Sequence, residues 1–175
     1  ALARADQRIA SALQPTYQWL VIRLCLSLVV YVDETGWHVA GLMAWLWVFT
    51  NDELSVYVID PTRAHAVVER VLGKDFAGVL VSDCLPTYDA LDWHKGKCLA
   101  HLLRRCKELR AVGNRHVQQV VAALEAILRA ALALKVRAAR LSPHGFAVAR
   151  GLLEVKCDRW LETPYRQPDL LRLGG

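Results

Sequence analysis

Leu28-Val29-Val30-Tyr31-Val32-Asp33-Glu34-Thr35-Gly36 is the stretch on which the fold turns. Leu28 to Val32 is a short, β-branched, apolar run, the pattern of a strand buried on both faces. Asp33-Glu34-Thr35-Gly36 has turn chemistry and is expected to end that strand. A second unit of the same kind follows downstream, Gly78-Val79-Leu80-Val81-Ser82, ended by Asp83. Between the two, Trp37 to Ala40 and Leu42 to Thr50 read as a hairpin around Gly41. Asn51-Asp52-Glu53 then turns into a strand over Ser55 to Ile59, and Arg63 to Leu72 has helical spacing stopped by Gly73. Strand, helix and strand in one sheet form most simply a right-handed parallel crossover. Asp33 and Asp83 are then expected at the carboxyl ends of parallel neighbours, where open α/β sheets bind ligands.

Outward from this centre the chain is helical. Residues 3–27 read as helix, and Pro15 suits the first turn of a second helix within them. Beyond Leu99, Val117, Val120, Val121, Leu124, Leu128 and Ala131 recur close to every 3.6 residues and mark a long amphipathic helix. Lys135, Arg137 and Arg140 favour its negative end. Ser142-Pro143-His144-Gly145 breaks it, and a last helix is expected from about Phe146 to Leu161. The expected class is α/β, a mixed sheet flanked by helices with a helical C-terminal extension.

The 175 residues suffice for one domain, and 54% hydrophobic against 22% charged residues argues against disorder. No apolar run is expected to reach the ~18 residues of a membrane span, Leu24 to Val32 coming closest, and the start of the sequence lacks the basic-then-apolar order of a signal peptide. The odd set Cys25, Cys84, Cys98, Cys106 and Cys157 reads as reduced thiols in a cytoplasmic protein.

The net charge of +5 is concentrated in one place. Between Lys95 and Arg115 seven Lys or Arg face a single acid, Glu108, so the rest of the chain is close to neutral. On a helix, His101, Arg104, Arg105 and Glu108 share one face, while Leu102, Leu103, Cys106 and Leu109 take the other. Lys97, Arg104, Arg105, Lys107 and Arg110 are candidate phosphate contacts, with a solvated basic face as the alternative. Asp33 and Asp83 are the candidate metal ligands. Two neighbouring carboxylates repel unless a cation sits between them, and oxygen-only ligands favour Mg²⁺; the alternative is that each is a turn residue or helix cap. Cys98 and His101 form the only zinc-like knuckle, so thiols packed in a core are the better reading than zinc. Trp37, Trp45 and Trp47 read as strand core.

Five segments occur in order: Val32-Asp33-Glu34-Thr35-Gly36-Trp37, Ala44-Trp45-Leu46-Trp47-Val48, Asp75-Phe76-Ala77-Gly78-Val79-Leu80-Val81-Ser82-Asp83, Tyr88-Asp89-Ala90-Leu91 and Cys98-Leu99-Ala100-His101-Leu102-Leu103-Arg104. Together they closely resemble the bacterial insertion sequence 66 family of DDE transposases, over about residues 25–112 and more loosely to the end. The resemblance implies an RNase H-like catalytic core over 28–112, an N-terminal helical segment over 1–27 and a helical region over 113–175. It implies two Asp and one Glu holding two Mg²⁺ (or Mn²⁺) ions, which activate water or a 3′-hydroxyl for in-line attack on a DNA phosphate. By residue match Asp33 is expected as the first acid and Asp83 as the second. His101 is expected as the histidine that follows the second acid near the active site. The implied partner is DNA, as transposon ends and target, with a homo-oligomer compatible and no membrane involved.

In this family the third acid lies in an Asn-Asn-x-x-Glu-Arg segment near the C-terminus, and a DNA-binding region precedes the core. Neither occurs in this sequence, so a catalytic domain truncated before the third acid is expected. Two alternatives stand beside it. One is an inactive DNA-binding or assembly remnant that keeps the basic helix. The other is a different RNase H-like nuclease that recruits Glu154 or Glu162 from the last helix.

Overall fold

The computed structural model describes residues 2–165 and Leu170. The last stretch of the expected 113–175 region lies mostly outside the described residues. The chain divides into two compact units, Ala1–Cys98 and Leu99–Gly175.

The first unit is a five-stranded mixed sheet with helices. Its elements are α1 (Leu2–Cys25), β1 (Val29–Val39), β2 (Leu42–Thr50), β3 (Ser55–Asp60), α2 (His65–Leu72), β4 (Val79–Ser82) and β5 (His94–Lys97), in the spatial order β3-β2-β1-β4-β5. β1, β2 and β3 pair antiparallel, and β4 runs parallel to both β1 and β5. The expected turn at Asp33-Glu34-Thr35-Gly36 does not form. β1 continues through it because every residue from Tyr31 to Val39 finds a partner on β2, from Thr50 back to Leu42. The chain reverses at Ala40 and Gly41 instead, with φ of 50° and 82°. Two positive φ values make the tight two-residue turn whose twist suits a hairpin. Pro15 does not start a new helix; it lies inside α1. The residues around it are exposed, so water satisfies the carbonyl that a proline leaves without its usual donor.

Alternation sorts β1 by face. Val30 and Val32 are buried, with Trp47 and Phe49 of β2, Val56 of β3 and Leu80 of β4. Val67, Val68, Val71 and Leu72 of α2 close over them, joined by Leu24 near the end of α1 and by Phe76, Tyr88 and Leu91. The opposite face carries Val29, Tyr31 and Trp37 of β1 and Tyr57 and Ile59 of β3, all exposed. Trp47 fits the core expected of the tryptophans, Trp45 is only partly buried, and Trp37 is corrected to an exposed position. Strand β5 escaped the sequence reading because His94-Lys95-Gly96-Lys97 has no apolar signal. It is a short sheet edge carrying lysines, a composition that discourages further strand addition.

The second unit consists of α3 (Leu99–Val112), α4 (Arg115–Arg137) and α5 (Pro143–Leu161), with α4 packed on both others. Leu102, Cys106 and Leu109 of α3 are buried, as are Val117, Val121, Leu124 and Leu128 of α4. The Asn114 carboxamide accepts from Val117 N at 3.0 Å and caps α4, and the Ser142 hydroxyl accepts from Gly145 N at 3.0 Å and caps α5. Ser142-Pro143 thus begins α5 as well as ending what precedes it, because Pro143 sits in the first turn where its missing N–H is harmless. Among the described residues one helical stretch, Arg115–Arg140, is long and apolar enough by length and composition to cross a membrane, with a mean hydropathy of 1.6. This stretch exceeds the apolar runs expected from the sequence, where Glu125 and Arg129 divide its apolar residues.

Candidate active site

Parallel pairing of β1 with β4 sets Val29 against Val79, Val30 against Leu80 and Tyr31 against Val81. Asp33 and Asp83 each stand two residues beyond the last of these pairs. Asp33 is therefore not at the end of its strand, as the sequence suggested. It stands where β1 leaves β4 and continues with β2 alone. Asp83 directly follows β4. Asp33 alternates with the buried Val32, so its side chain is on the exposed face. Its Oδ1 accepts from Glu34 N at 3.0 Å, and the Asp83 Oδ1 accepts from Leu85 N at 3.0 Å, which starts the 3₁₀ turn Pro86–Ala90. These donors fix both carboxylates locally.

The donor chemistry suits a hard divalent ion. Both groups offer carboxylate oxygens, and Asp33 is open to solvent, as an ion that retains waters requires. Asp33 and Asp83 are thus the residues that could hold Mg²⁺ or Mn²⁺. Among the described residues no group of three or more His, Cys, Asp or Glu is arranged to share an ion.

Glu34 points the other way, and its side chain is only 1% exposed. Arg63 Nε donates to its Oε1 at 2.8 Å, and the Tyr88 hydroxyl donates to its Oε2. Arg63 also lies over the Trp45 ring, 4.5 Å from the centroid. The Tyr88 ring is buried, and burial, then the hydrogen bond and charge of Glu34, and then the charges of Asp83 and Asp33, push its phenol far above the usual range. Tyr88 therefore remains a protonated donor, and it feels both candidate ligands as well as Glu34. Arg63 is delivered by the turn after β3. Asp60 Oδ1 accepts from Thr62 N at 2.8 Å and Thr62 Oγ1 at 2.7 Å, and its Oδ2 accepts from Arg70 at 2.6 Å. Burial raises the Asp60 carboxyl, but the bonds from Thr62 and Arg70 outweigh it and hold the group below its ordinary value.

Lys97 lies on β5 in the first unit. Neighbouring Lys95 donates to the carbonyls of Tyr88, Asp89 and Leu91 at 3.3, 3.2 and 2.7 Å, and so caps the 3₁₀ turn. His101, Arg104, Arg105, Lys107 and Arg110 all belong to α3 in the second unit. His101 is partly buried, with Nδ1 shielded from solvent. Arg105 pairs with Glu108 at 3.2 Å, and Arg110 pairs at 2.7 Å with Glu125, which also takes Arg129 at 2.7 Å. Hydrogen bonds from Arg129 and Arg110 hold the Glu125 carboxyl below its usual value. Arg104 and Lys107 are exposed and have no carboxylate partner among the described residues. A separate, largely apolar hollow of about 620 Å³ between α4 and α5, lined by Val120, Ala123, Ile127, Leu153 and Trp160, holds none of the expected site residues.

The sequence does not announce the cluster of Glu34, Arg63 and Tyr88. Glu34 was absorbed into an expected turn, and Arg63 and Tyr88 lie in separate segments whose meeting depends on the sheet order. Two signals point to the cluster: Glu34 and Tyr88 lie within the segments that carry the family resemblance, and a charged Glu34 in strand-like sequence demands a buried partner once alternation is followed.

No curated protein and no solved structure matches this chain. The profile of the Transposase IS66 family matches residues 1–162, a span that takes in both aspartates, the crossover joining their strands, the basic α3 and all of α5. On that match, together with the paired strands that carry Asp33 and Asp83, the chain belongs to the Transposase IS66 family.

Proposed function

We propose that this chain supplies the catalytic core for metal-dependent DNA strand cleavage and transfer, with Asp33 and Asp83 as ligands of Mg²⁺ or Mn²⁺. The observation that carries the reading is their equivalent placement, two residues beyond the last paired residues of the parallel strands β1 and β4. The mixed sheet with a helical crossover supports an RNase H-like core, functionally extended through α3 to about residue 112. Held by Asp33 and Asp83, such an ion would supply Lewis-acid polarisation of a phosphate and activation of water or a 3′-hydroxyl. Asp33 and Asp83 fix its place at the exposed sheet face. Arg104 and Lys107 hold the DNA backbone through its phosphates, with Lys97, Arg105 and Arg110 adding positive charge. His101 acts near the reacting phosphate, as the family pattern implies. The assembly handles transposon ends and target as a homo-oligomer in the cytoplasm.

A second reading, a DNA-binding or assembly module without turnover, is favoured by one observation. No third carboxylate joins Asp33 and Asp83 among the described residues. Equilibrium binding of Mn²⁺, followed by electron paramagnetic resonance, tests the metal site that the first reading requires. Wild type is expected to bind one ion weakly, and Asp33→Asn or Asp83→Asn is expected to abolish it. Binding that survives both substitutions would remove the aspartate pair from the reading.

A further inference from the structure

We propose that Glu34, clamped between Arg63 and Tyr88, is a positioning residue that holds the loop after Asp83 against the strand bearing Asp33. The inference rests on the metal-site reading above and adds residues to it. A carboxylate this deeply buried loses much of its hydration, so it persists only where donors replace the water. Glu34 has two such donors, and they come from different parts of the chain. Arg63 is brought by the connection between β3 and α2, and Tyr88 by the 3₁₀ turn.

The linkage to the two aspartates is short on both sides. Glu34 is the next residue to Asp33, and its backbone N–H donates to Asp33 Oδ1. Its side chain lies beneath the sheet while that of Asp33 lies above, so fixing one fixes the strand position of the other. On the other side, Asp83 Oδ1 accepts from Leu85 N, and Leu85 leads straight into the turn that contains Tyr88. The Thr87 hydroxyl donates to the Arg63 carbonyl at 3.4 Å, and Lys95 secures the carbonyls of that turn from β5. Pairing of β1 with β4 stops at Tyr31 and Val81. Beyond that point no ladder bond couples the two strands among the described residues, and the Glu34–Tyr88 bond links β1 to the turn that follows β4.

Mn²⁺ affinity and thermal stability, measured in parallel on the full chain, separate positioning from mere stability. Tyr88→Phe keeps the buried ring and removes only the donor. It is expected to weaken Mn²⁺ binding by about tenfold, the scale of an outer-shell partner, and to lower Tm as well, because one oxygen of the buried Glu34 loses its donor. Glu34→Gln retains an acceptor for Tyr88 and is expected to lose less affinity than Glu34→Leu. Phe76→Leu cuts the core against Trp93, away from Glu34, and is expected to lower Tm with affinity unchanged. Wild-type affinity in both Tyr88→Phe and Glu34→Leu would overturn the proposal while leaving the metal site standing. Absence of Asp33-dependent binding in wild type would instead overturn the site reading, and the positioning role with it.

Discussion

Asp60 shows how a single residue ties stability to pH. Its carboxyl is held below its ordinary value in the folded chain, so the folded state binds that proton less readily than the unfolded state. The sign follows: the contribution is present above the unfolded value of ~3.9 and is lost as pH falls through the folded value. Asp60→Asn keeps an acceptor for Thr62 but loses the charged bond to Arg70. Because Arg70 is 58% exposed, the loss at pH 7 is expected to be only about 1 kcal/mol. Thermal melts at pH 7 and near pH 2.5 check this. The gap between wild type and variant should close on the acid side, and a gap independent of pH would show that Asp60 contributes through shape alone. Tyr88 has the opposite sense. Its raised phenol favours the folded state below ~10 and opposes it above, as the unfolded chain ionises first. At this scale the sequence revealed Asp33 and Asp83 as candidates, because acids after apolar runs stand out. Asp60 follows an apolar run in the same way, and only its bonds to Thr62 and Arg70 set it apart, while the significance of Glu34 is a matter of burial and of partners far along the chain.

Among the elements, the β1–β4 pair shows which parts of the fold could be read directly. Apolar runs gave both strands, Gly41 gave the hairpin, and Gly73 gave the end of α2, where its φ of 82° suits glycine. The extent of β1 could not be read, because Asp33-Glu34-Thr35-Gly36 looks like a turn until β2 is there to pair with it. Local preference was overridden by the ladder. β5 was invisible for the converse reason: its strand state comes entirely from pairing with β4. Gly78 is where the β1–β4 pair begins, next to the bond from Val79 N to Leu28 O at 2.8 Å. A Cβ there would lie 2.6 Å from Phe76 Cζ and 3.0 Å from the Leu28 carbonyl oxygen, and would also meet the Ser27 carbonyl. Backbone atoms cannot step aside as a side chain can. Gly78→Ala is therefore expected to lower unfolding free energy by about 1–3 kcal/mol, as overpacking does. Urea denaturation measures it, and unchanged stability would show that the strands separate there without loss.

For the whole molecule, the concentration of positive charge between Lys95 and Arg115, with four of its seven cations on α3, sets the expected behaviour toward DNA. Composition located this excess, and the sequence pattern gave the face. It could not rank the cations, because Glu125 lies on the following helix and compensates Arg110 only once α3 and α4 pack. With Arg110 shared with Glu125 and Arg105 beside Glu108, Arg104 and Lys107 are, among the described residues of α3, the cations with charge to give to a phosphate. Each phosphate contact releases condensed counterions, which contributes a slope of about −0.9 to log affinity against log salt on duplex DNA. Arg104→Ala with Lys107→Ala is thus expected to flatten that slope by up to about two units, almost independently of DNA sequence. Arg110→Ala should change it less, since that substitution also leaves Glu125 with Arg129 alone. Glu125→Gln should move it in the other direction, because Arg110 and Arg129 are then both uncompensated. Filter binding across a salt series on two unrelated duplexes reads all four values. Equal flattening by Arg110→Ala and by the Arg104, Lys107 pair would mean that the ion pair with Glu125 opens on contact with DNA, and a slope unmoved by any of them would place the DNA on another face.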